Sequence, residues 1–264
     1  MKSKAVAPKL VFLDWPAPAT VKACTTLRVP GISKPPYDTF NLALHVGDKA
    51  QSVLENRRIL SAALKQDNIH WLNQTHSTDV VQVTSATLTA ESLLADASFT
   101  REKNQVCCVL TADCLPVFFC NKKGSQVAIA HAGWRGLCNG ILQRTLATFD
   151  QSETVMAYLG PAISQAAFEV GNDVRDSFLD AYADTVDLES YFSAESGHKW
   201  MADLYGIAKS ILKHQGLMDI YGGDGCTFLE PEHYFSYRRD GVTGRMAHLI
   251  WLDTINLDSA VGHA

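Results

Sequence analysis

The chain has 264 residues, a formal net charge of −5 and 47% hydrophobic residues, a length that allows one large domain or two small ones. Basic residues are scattered apart from Arg57-Arg58, Lys122-Lys123 and Arg238-Arg239, which excludes the electrostatic footprint of a nucleic-acid binder. No apolar run reaches about 18 residues, so no transmembrane helix is expected.

The N-terminal stretch carries early lysines but no apolar core of signal-peptide length; it reads as mature sequence, and a cytoplasmic location follows. Seven cysteines are an odd number without the spacing of a disulfide framework or a CxxC zinc ribbon. Cys107, Cys108 and Cys120 lie in apolar runs and read as buried free thiols of a reducing compartment.

In chain order, Lys9–Leu13 reads as a short strand and Thr25–Phe40, rich in Thr, Pro, Gly and Ser, as a loop. Asn41–Asp48 (NLALHVGD) reads as a strand end or turn. A helix follows, with Val53, Leu60, Ala63 and Leu64 on one face and Asn56 and Arg57 interrupting it. His76, in Asn73–Ser77 (NQTHS), falls at a strand edge or in a loop before the strand Asp79–Val83. Asp96–Thr100 reads as a turn, and Val106–Leu110 as a strand.

Two apolar runs, Leu115–Cys120 and Gln126–Ala130, flank Asn121-Lys122-Lys123-Gly124 and predict a hairpin. With a two-residue loop, Cys120 faces Ser125, Val117 faces Ala128 and Cys114 faces His131. Opposed Cβ atoms lie about 4.5–5.5 Å apart, so a thiolate and an imidazole would meet there. A one-residue slip would separate them onto opposite faces.

Past the hairpin, Ala132–Gly136 (AGWRG) implies a tight backbone path. Asn139 is placed to cap a helix carrying Ile141, Leu142, Leu146 and Phe149. Val155–Leu159 is a strand. Asn172 or Asp173 caps a helix with Val174, Phe178, Leu179 and Tyr182. A further helix carries Leu204, Ile207, Ala208, Ile211 and Leu212, with Gly216 as its stop. Met218–Tyr221 is a strand, residues 235–246 are loop-like, and Ala247–Leu252 is the last strand. With strands outnumbering helices and at least one antiparallel hairpin, the expected class is mixed α/β (α+β) in a single domain over 1–264.

His76, Cys114 and His131 are donors suited to one metal ion, since zinc accepts imidazole and thiolate and catalytic sites often pair three protein ligands with a water. The residues alone leave other readings open: a buried thiol, a hydrogen-bonded histidine, or a Cys114–His131 nucleophile–base pair. Asp113 is a turn or cap carboxylate, or else orients a ligand or moves a proton. Arg135 and Arg245 are candidate anion contacts, because a guanidinium grips phosphate bidentately. Asn41 and His45 are candidate substrate contacts. Glu169 and Trp134 read as structural.

The motifs NLALHVGD, NQTHS, LTADCLPVFF, AIAHAGWRG, YLGPAIS with FEVG, and FSYRRDGVTGRMAHLIWL closely resemble the YfiH family, also called the laccase-domain or multicopper polyphenol oxidase family. The likeness runs from about Gly31 to Leu252. It implies that His76, Cys114 and His131 bind zinc, and that the fold is a four-layer α/β/β/α sandwich. It also implies a purine nucleoside enzyme: phosphorolysis of adenosine, inosine and guanosine, cleavage of methylthioadenosine, and adenosine deamination. Purine nucleosides and phosphate are then the partners. Some bacterial members are linked to peptidoglycan editing, and older descriptions give a copper-dependent oxidase. The H-x-E and P-C-x-x-C motifs of the usual zinc deaminases are absent from this sequence. Two competing readings are a copper oxidase of phenols and a metal-free Cys–His hydrolase of cell-wall precursors.

Overall fold

The computed structural model of the chain describes residues 7–87, 93–195 and 197–254. Its elements in chain order are β1 (Leu10–Phe12), β2 (Val21–Thr26), α1 (Ala50–Leu64), β3 (Ile69–Asn73), β4 (Val80–Gln82), β5 (Leu93–Leu94), β6 (Ala97–Thr100), β7 (Val106–Thr111), β8 (Leu115–Asn121) and β9 (Val127–Ala132). They continue with α2 (Trp134–Cys138), α3 (Ile141–Leu146), β10 (Val155–Leu159), β11 (Glu169–Gly171), α4 (Asn172–Tyr182), β12 (Phe192–Glu195), β13 (Lys199–Ala202), α5 (Leu204–His214), β14 (Asp219–Gly222), α6 (Tyr237–Asp240) and β15 (Met246–Leu252).

The strands form two six-stranded sheets, β1-β2-β15-β7-β3-β5 and β14-β10-β8-β9-β6-β4, and a three-stranded sheet β11-β13-β12. The apolar runs around the hairpin are continuous because both faces of these strands are covered. Phe118, Cys120, Val127 and Ile129 pack against Cys107, Val109 and Ile250 of the first sheet. Their neighbours Val117, Phe119, Ala128 and Ala130 pack against Leu137, Ile141, Phe178 and Ile207 of the helices. Beyond the first sheet, Leu60 of α1 joins Phe40 and Leu42 over Cys108, Leu110 and Leu249. Cys107, Cys108 and Cys120 are buried free thiols, as expected.

Topology creates one special end. The chain leaves the first sheet for the second after β3, after β5 and after β7. Because β3 runs parallel to both β5 and β7, all three departures lie at the same end of the sheet. Their connections are residues 74–79, 95–96 and 112–114.

Several local expectations need correction. The hairpin loop is Lys122–Ser125, closed by Asn121 N–H donating to Gln126 O. Pro116 therefore faces His131 and Leu115 faces Ala132; Cys114 does not oppose His131. The register differs by two positions, and since side chains alternate with period two the cysteine keeps the predicted face. Residues 97–100 of the expected turn are a strand, β6, and the expected loop from Thr25 starts only after β2.

In α1 the interrupting Asn56 is buried while Ala63 is exposed. Its amide accepts from Ile32 N and donates to Ser33 Oγ and to the carbonyls of Thr39 and Asn41. Asn139 closes α2 rather than opening α3, whose N-cap is Gly140 at φ 96°; a glycine there adopts the left-handed region without strain. The cap of α4 is Gly171, not Asn172 or Asp173.

Candidate metal centre

His76 lies in the first of the three connections and Cys114 in the third, while His131 is near the end of β9. One donor atom from each lies within 4.8 Å of the others. Cys114 Sγ is 3.9 Å from His76 Nε2, and the rings of His76 and His131 stand edge to face at 4.9 Å. His131 is buried, Cys114 half-buried and His76 exposed, so the cluster opens to solvent on the His76 side. It is the one such group of three or more donors among the described residues.

The middle connection supplies the frame. Asp96, fully buried, accepts at Oδ1 from His76 N (3.0 Å) and at Oδ2 from Thr75 N (3.0 Å) and Ser77 N (2.7 Å). Oδ1 also lies 2.8 Å from His131 Nδ1. A carboxylate on one imidazole nitrogen directs the other toward a metal, so His131 presents Nε2 to the cluster. Burial pushes the Asp96 carboxyl up, but His131 and the N–H groups of Ser77 and Thr75 bring it down to about 2.

Electrostatics and sterics suit a cation. Burial pushes the Cys114 thiol up, yet the charges and hydrogen bonds of His131 and His76 bring it down to about 6. Burial pushes His131 down, but Cys114 and Asp96 raise it to about 9. Gly133 lies so close that a Cβ there would sit 2.7 Å from His76 Cδ2 and 3.1 Å from Cys114 Sγ. The cluster thus offers two imidazoles and a ready thiolate in one small volume, a donor set that fits zinc or copper.

The other predicted residues divide. Asp113, at φ 91°, accepts from Thr227 Oγ1 at Oδ1 and from Arg238 N at Oδ2, both at 2.7 Å, so its carboxylate ties the crossing to Thr227 and to the start of α6. Asn41 is buried; its Oδ1 accepts from Ala43 N and Arg245 N, and its Nδ2 donates to Ala43 O and Asp48 Oδ2. It shapes the 41–48 turn and places Arg245. Arg245 precedes β15, whose first residue pairs with Thr111, so it stands beside the Cys114 crossing; burial lowers its pKa while Cys114, Asp113 and Tyr237 raise it.

His45 is exposed, and burial together with the charges of Arg245, Arg57 and His131 holds its imidazole below the ordinary range. Arg135 is exposed and stacks on Trp134 at 4.3 Å. Glu169 pairs with Lys199. A cavity of about 670 Å³ lined by Phe149, Val155 and Met218 adjoins the far end of β8, where Asn121 pairs with Val155, away from the cluster.

Two residues of the site escaped the sequence: Asp96, read as a turn residue, and Gln74, which bonds both the N–H and the carbonyl of Leu110 and fixes the His76 loop to β7. The one local signal was a carboxylate directly before a strand of small residues, Asp96-Ala97-Ser98.

Residues 22–253 match the model of the family described as multi-copper polyphenol oxidoreductase laccase. The Escherichia coli purine nucleoside phosphorylase YfiH is 46% identical over 92% of this chain and 99% of its own length. A Pseudomonas aeruginosa purine nucleoside phosphorylase is 42% identical over 90% and 96%. The crystal structure of a Neisseria meningitidis protein superposes with a TM-score of 0.86 at 46% identity, over 93% of this chain and 99% of that one. A motif set carried on one matching fold over nearly the full length makes the assignment: the chain belongs to the YfiH family of multi-copper polyphenol oxidoreductase laccases.

Proposed function

We propose that this protein is a zinc-dependent purine nucleoside phosphorylase acting on adenosine, inosine, guanosine and methylthioadenosine, with adenosine deaminase activity. The observation that carries the reading is the convergence of His76, Cys114 and His131 donors within 4.8 Å in a chain whose relatives are named purine nucleoside phosphorylases. Those three residues would hold the ion, with room for a fourth ligand from the solvent side. When bound, zinc supplies Lewis-acid activation of water or of a substrate oxygen.

The chain's own residues do the rest. Asp96 fixes the tautomer and direction of His131 and ties the His76 loop to it. Gly133 leaves the space in which His76 and Cys114 approach. Arg245, beside Cys114, meets the anionic cosubstrate. In phosphorolysis a phosphate oxygen bonds to C1′ as the C1′–N9 bond breaks, and the electron pair leaves with the purine, which takes up one proton. The products are ribose 1-phosphate and the free base.

A metal-free Cys–His hydrolase is the second reading, favoured by the lowered Cys114 thiol beside a raised His131. A copper oxidase of phenols is the third, favoured by the family's description. One experiment separates them. Protein purified without added copper is assayed for bound metal, then incubated with adenosine and phosphate, adenosine and water, or a phenol. Bound zinc with adenine and ribose 1-phosphate, and inosine in the water arm, is the expected result. Phenol oxidation without base release, or activity on a cell-wall amide that survives chelation, would overturn it.

A further inference from the structure

The chain crosses from the first sheet to the second at Cys114 in three residues, 112–114, between β7 and β8. Stacked sheets lie about 10 Å apart, so so short a crossing must turn sharply. The turn falls at Asp113, whose φ of 91° is uncommon for a residue with a side chain. Such a conformation persists only where the surroundings over-determine it.

They do so from several sides. Asp113 O accepts from Ile163 N at 3.0 Å, and Ala162 O accepts from Thr227 N at 3.0 Å. Thr227 Oγ1 closes this ring by donating to Asp113 Oδ1 at 2.7 Å. Ala162 and Thr227 are both fully buried. Asp113 Oδ2 accepts from Arg238 N at 2.7 Å, at the start of α6, and Arg239 of the same helix donates from Nη1 to Thr227 O at 2.8 Å. Backbone and carboxylate of Asp113 are thereby both fixed, while the next side chain stands with Cys114 Sγ 3.9 Å from His76 Nε2.

The His76 connection follows the same plan. His76 has φ 61°, and the buried Asp96 carboxylate holds its N–H and those of Thr75 and Ser77. Each donor supplied by a connection therefore sits at, or directly after, a left-handed residue held by a buried carboxylate. The two carboxylates differ in one respect. Asp96 also reaches the His131 ring, whereas Asp113 makes no bond to any of the three donors among the described hydrogen bonds. Each Asp113 oxygen already accepts from the protein, which suits an anchor rather than a carrier of protons.

We propose that Asp113 and Thr227 are positioning residues for Cys114. The Thr227 hydroxyl holds the Asp113 carboxylate, the carboxylate holds the left-handed turn, and the turn aims the thiol at His76 and His131. The consequence for zinc rests on the metal reading above, whereas the aim of the thiol belongs to the chain itself.

The test measures zinc affinity of the full chain by chelator competition in Thr227→Val, Thr227→Ser, Asp113→Ala and Asp113→Gly, and the thiolate-to-metal absorption band of the cobalt-substituted proteins. Valine keeps the volume of threonine and removes the hydroxyl; serine restores it. Thr227→Val should bind zinc about tenfold more weakly, with a weakened cobalt band, and Thr227→Ser should return both to within about twofold of the wild type. Glycine takes a positive φ without strain, so Asp113→Gly should bind zinc more tightly than Asp113→Ala, and both more weakly than the wild type. Thr145→Val removes an equally buried hydroxyl, bonded to Ile141 O on α3, and should lower stability while leaving zinc affinity unchanged.

Wild-type zinc affinity in folded Thr227→Val would overturn the assignment. Wild-type zinc affinity in Asp113→Ala would do so as well, and base release lost in that case would make the carboxylate a proton carrier. If Asp113→Ala does not fold, the Thr227→Val and Thr227→Ser pair decides. If the wild type binds no zinc, the metal reading fails, and the crystal structure of metal-free Thr227→Val decides the positioning. Cys114 Sγ displaced from its 3.9 Å approach to His76 Nε2 would support it, and an unmoved Sγ would overturn it.

Discussion

Asp96 and His131, 35 positions apart in sequence, meet at 2.8 Å between Oδ1 and Nδ1, and the same carboxylate receives three successive backbone N–H groups of the His76 loop. One buried anion thereby fixes two of the three candidate metal donors. Asp96→Ala should weaken zinc affinity by about 10–100-fold, the usual cost of losing a partner behind a metal-bound histidine. Removing one member of a buried pair should also cost about 3–5 kcal/mol of stability. Chelator-competition titration reads the first effect and urea unfolding the second. Unchanged zinc affinity in folded Asp96→Ala would contradict the positioning role.

One ion shared by His76, Cys114 and His131 would make the three donors interdependent. His76→Ala, Cys114→Ala and His131→Ala should each abolish stoichiometric zinc and base release together. Zinc lost in His76→Ala but retained in Cys114→Ala would show that the thiol is not part of the same centre.

Gly133→Ala tests the crowding directly. Its Cβ would press on the exposed His76 ring and on Cys114 Sγ, and the His76 ring can yield outward. The expected outcome is weaker zinc binding with global stability lowered by less than about 1 kcal/mol. Zinc affinity equal to the wild type would show that the approach is slack.

His248 is buried between the sheets, with Nδ1 2.9 Å from Thr25 Oγ1 and Nε2 2.8 Å from Thr111 Oγ1. Burial, aided by the charge of His131, lowers it from 6.5 to about 3. Between those values the unfolded chain binds a proton that the folded one does not, so stability is full above pH 6.5 and falls as pH drops toward 3. Urea midpoints at pH 7, 6 and 5 should fall steadily, and His248→Gln should flatten the slope. A slope unchanged in that variant would assign the effect elsewhere.

Asn56→Ala should cost at least about 2 kcal/mol, since it strands the carbonyls of Thr39 and Asn41 and the N–H of Ile32. It should also raise the phosphate KM, because the turn that places Arg245 loosens. Stability loss without any kinetic effect would confine Asn56 to a scaffold role.

Local pattern carried much of the fold. β10 matches the expected Val155–Leu159, and α5 carries all the residues assigned to its apolar stripe. Failures came where a residue's partner is remote. Asn56 broke the helical pattern because its partners lie in the loop from Ile32 to Asn41. Asp96 looked like a turn residue because its partners lie on the His76 connection and on β9.

The sequence by itself determined the family through its motifs and the mixed α/β class through apolar periodicity, and it offered His76, Cys114 and His131 as candidate donors, since motifs and periodicity are local properties. The hairpin register was wrong by two positions, yet a period-two strand kept Cys114 on the predicted face. Only the tertiary structure decided that His76 comes within 3.9 Å of Cys114 across 38 positions. That approach depends on parallel β3, β5 and β7 ending together, a consequence of strand order between sheets that no local window of sequence contains.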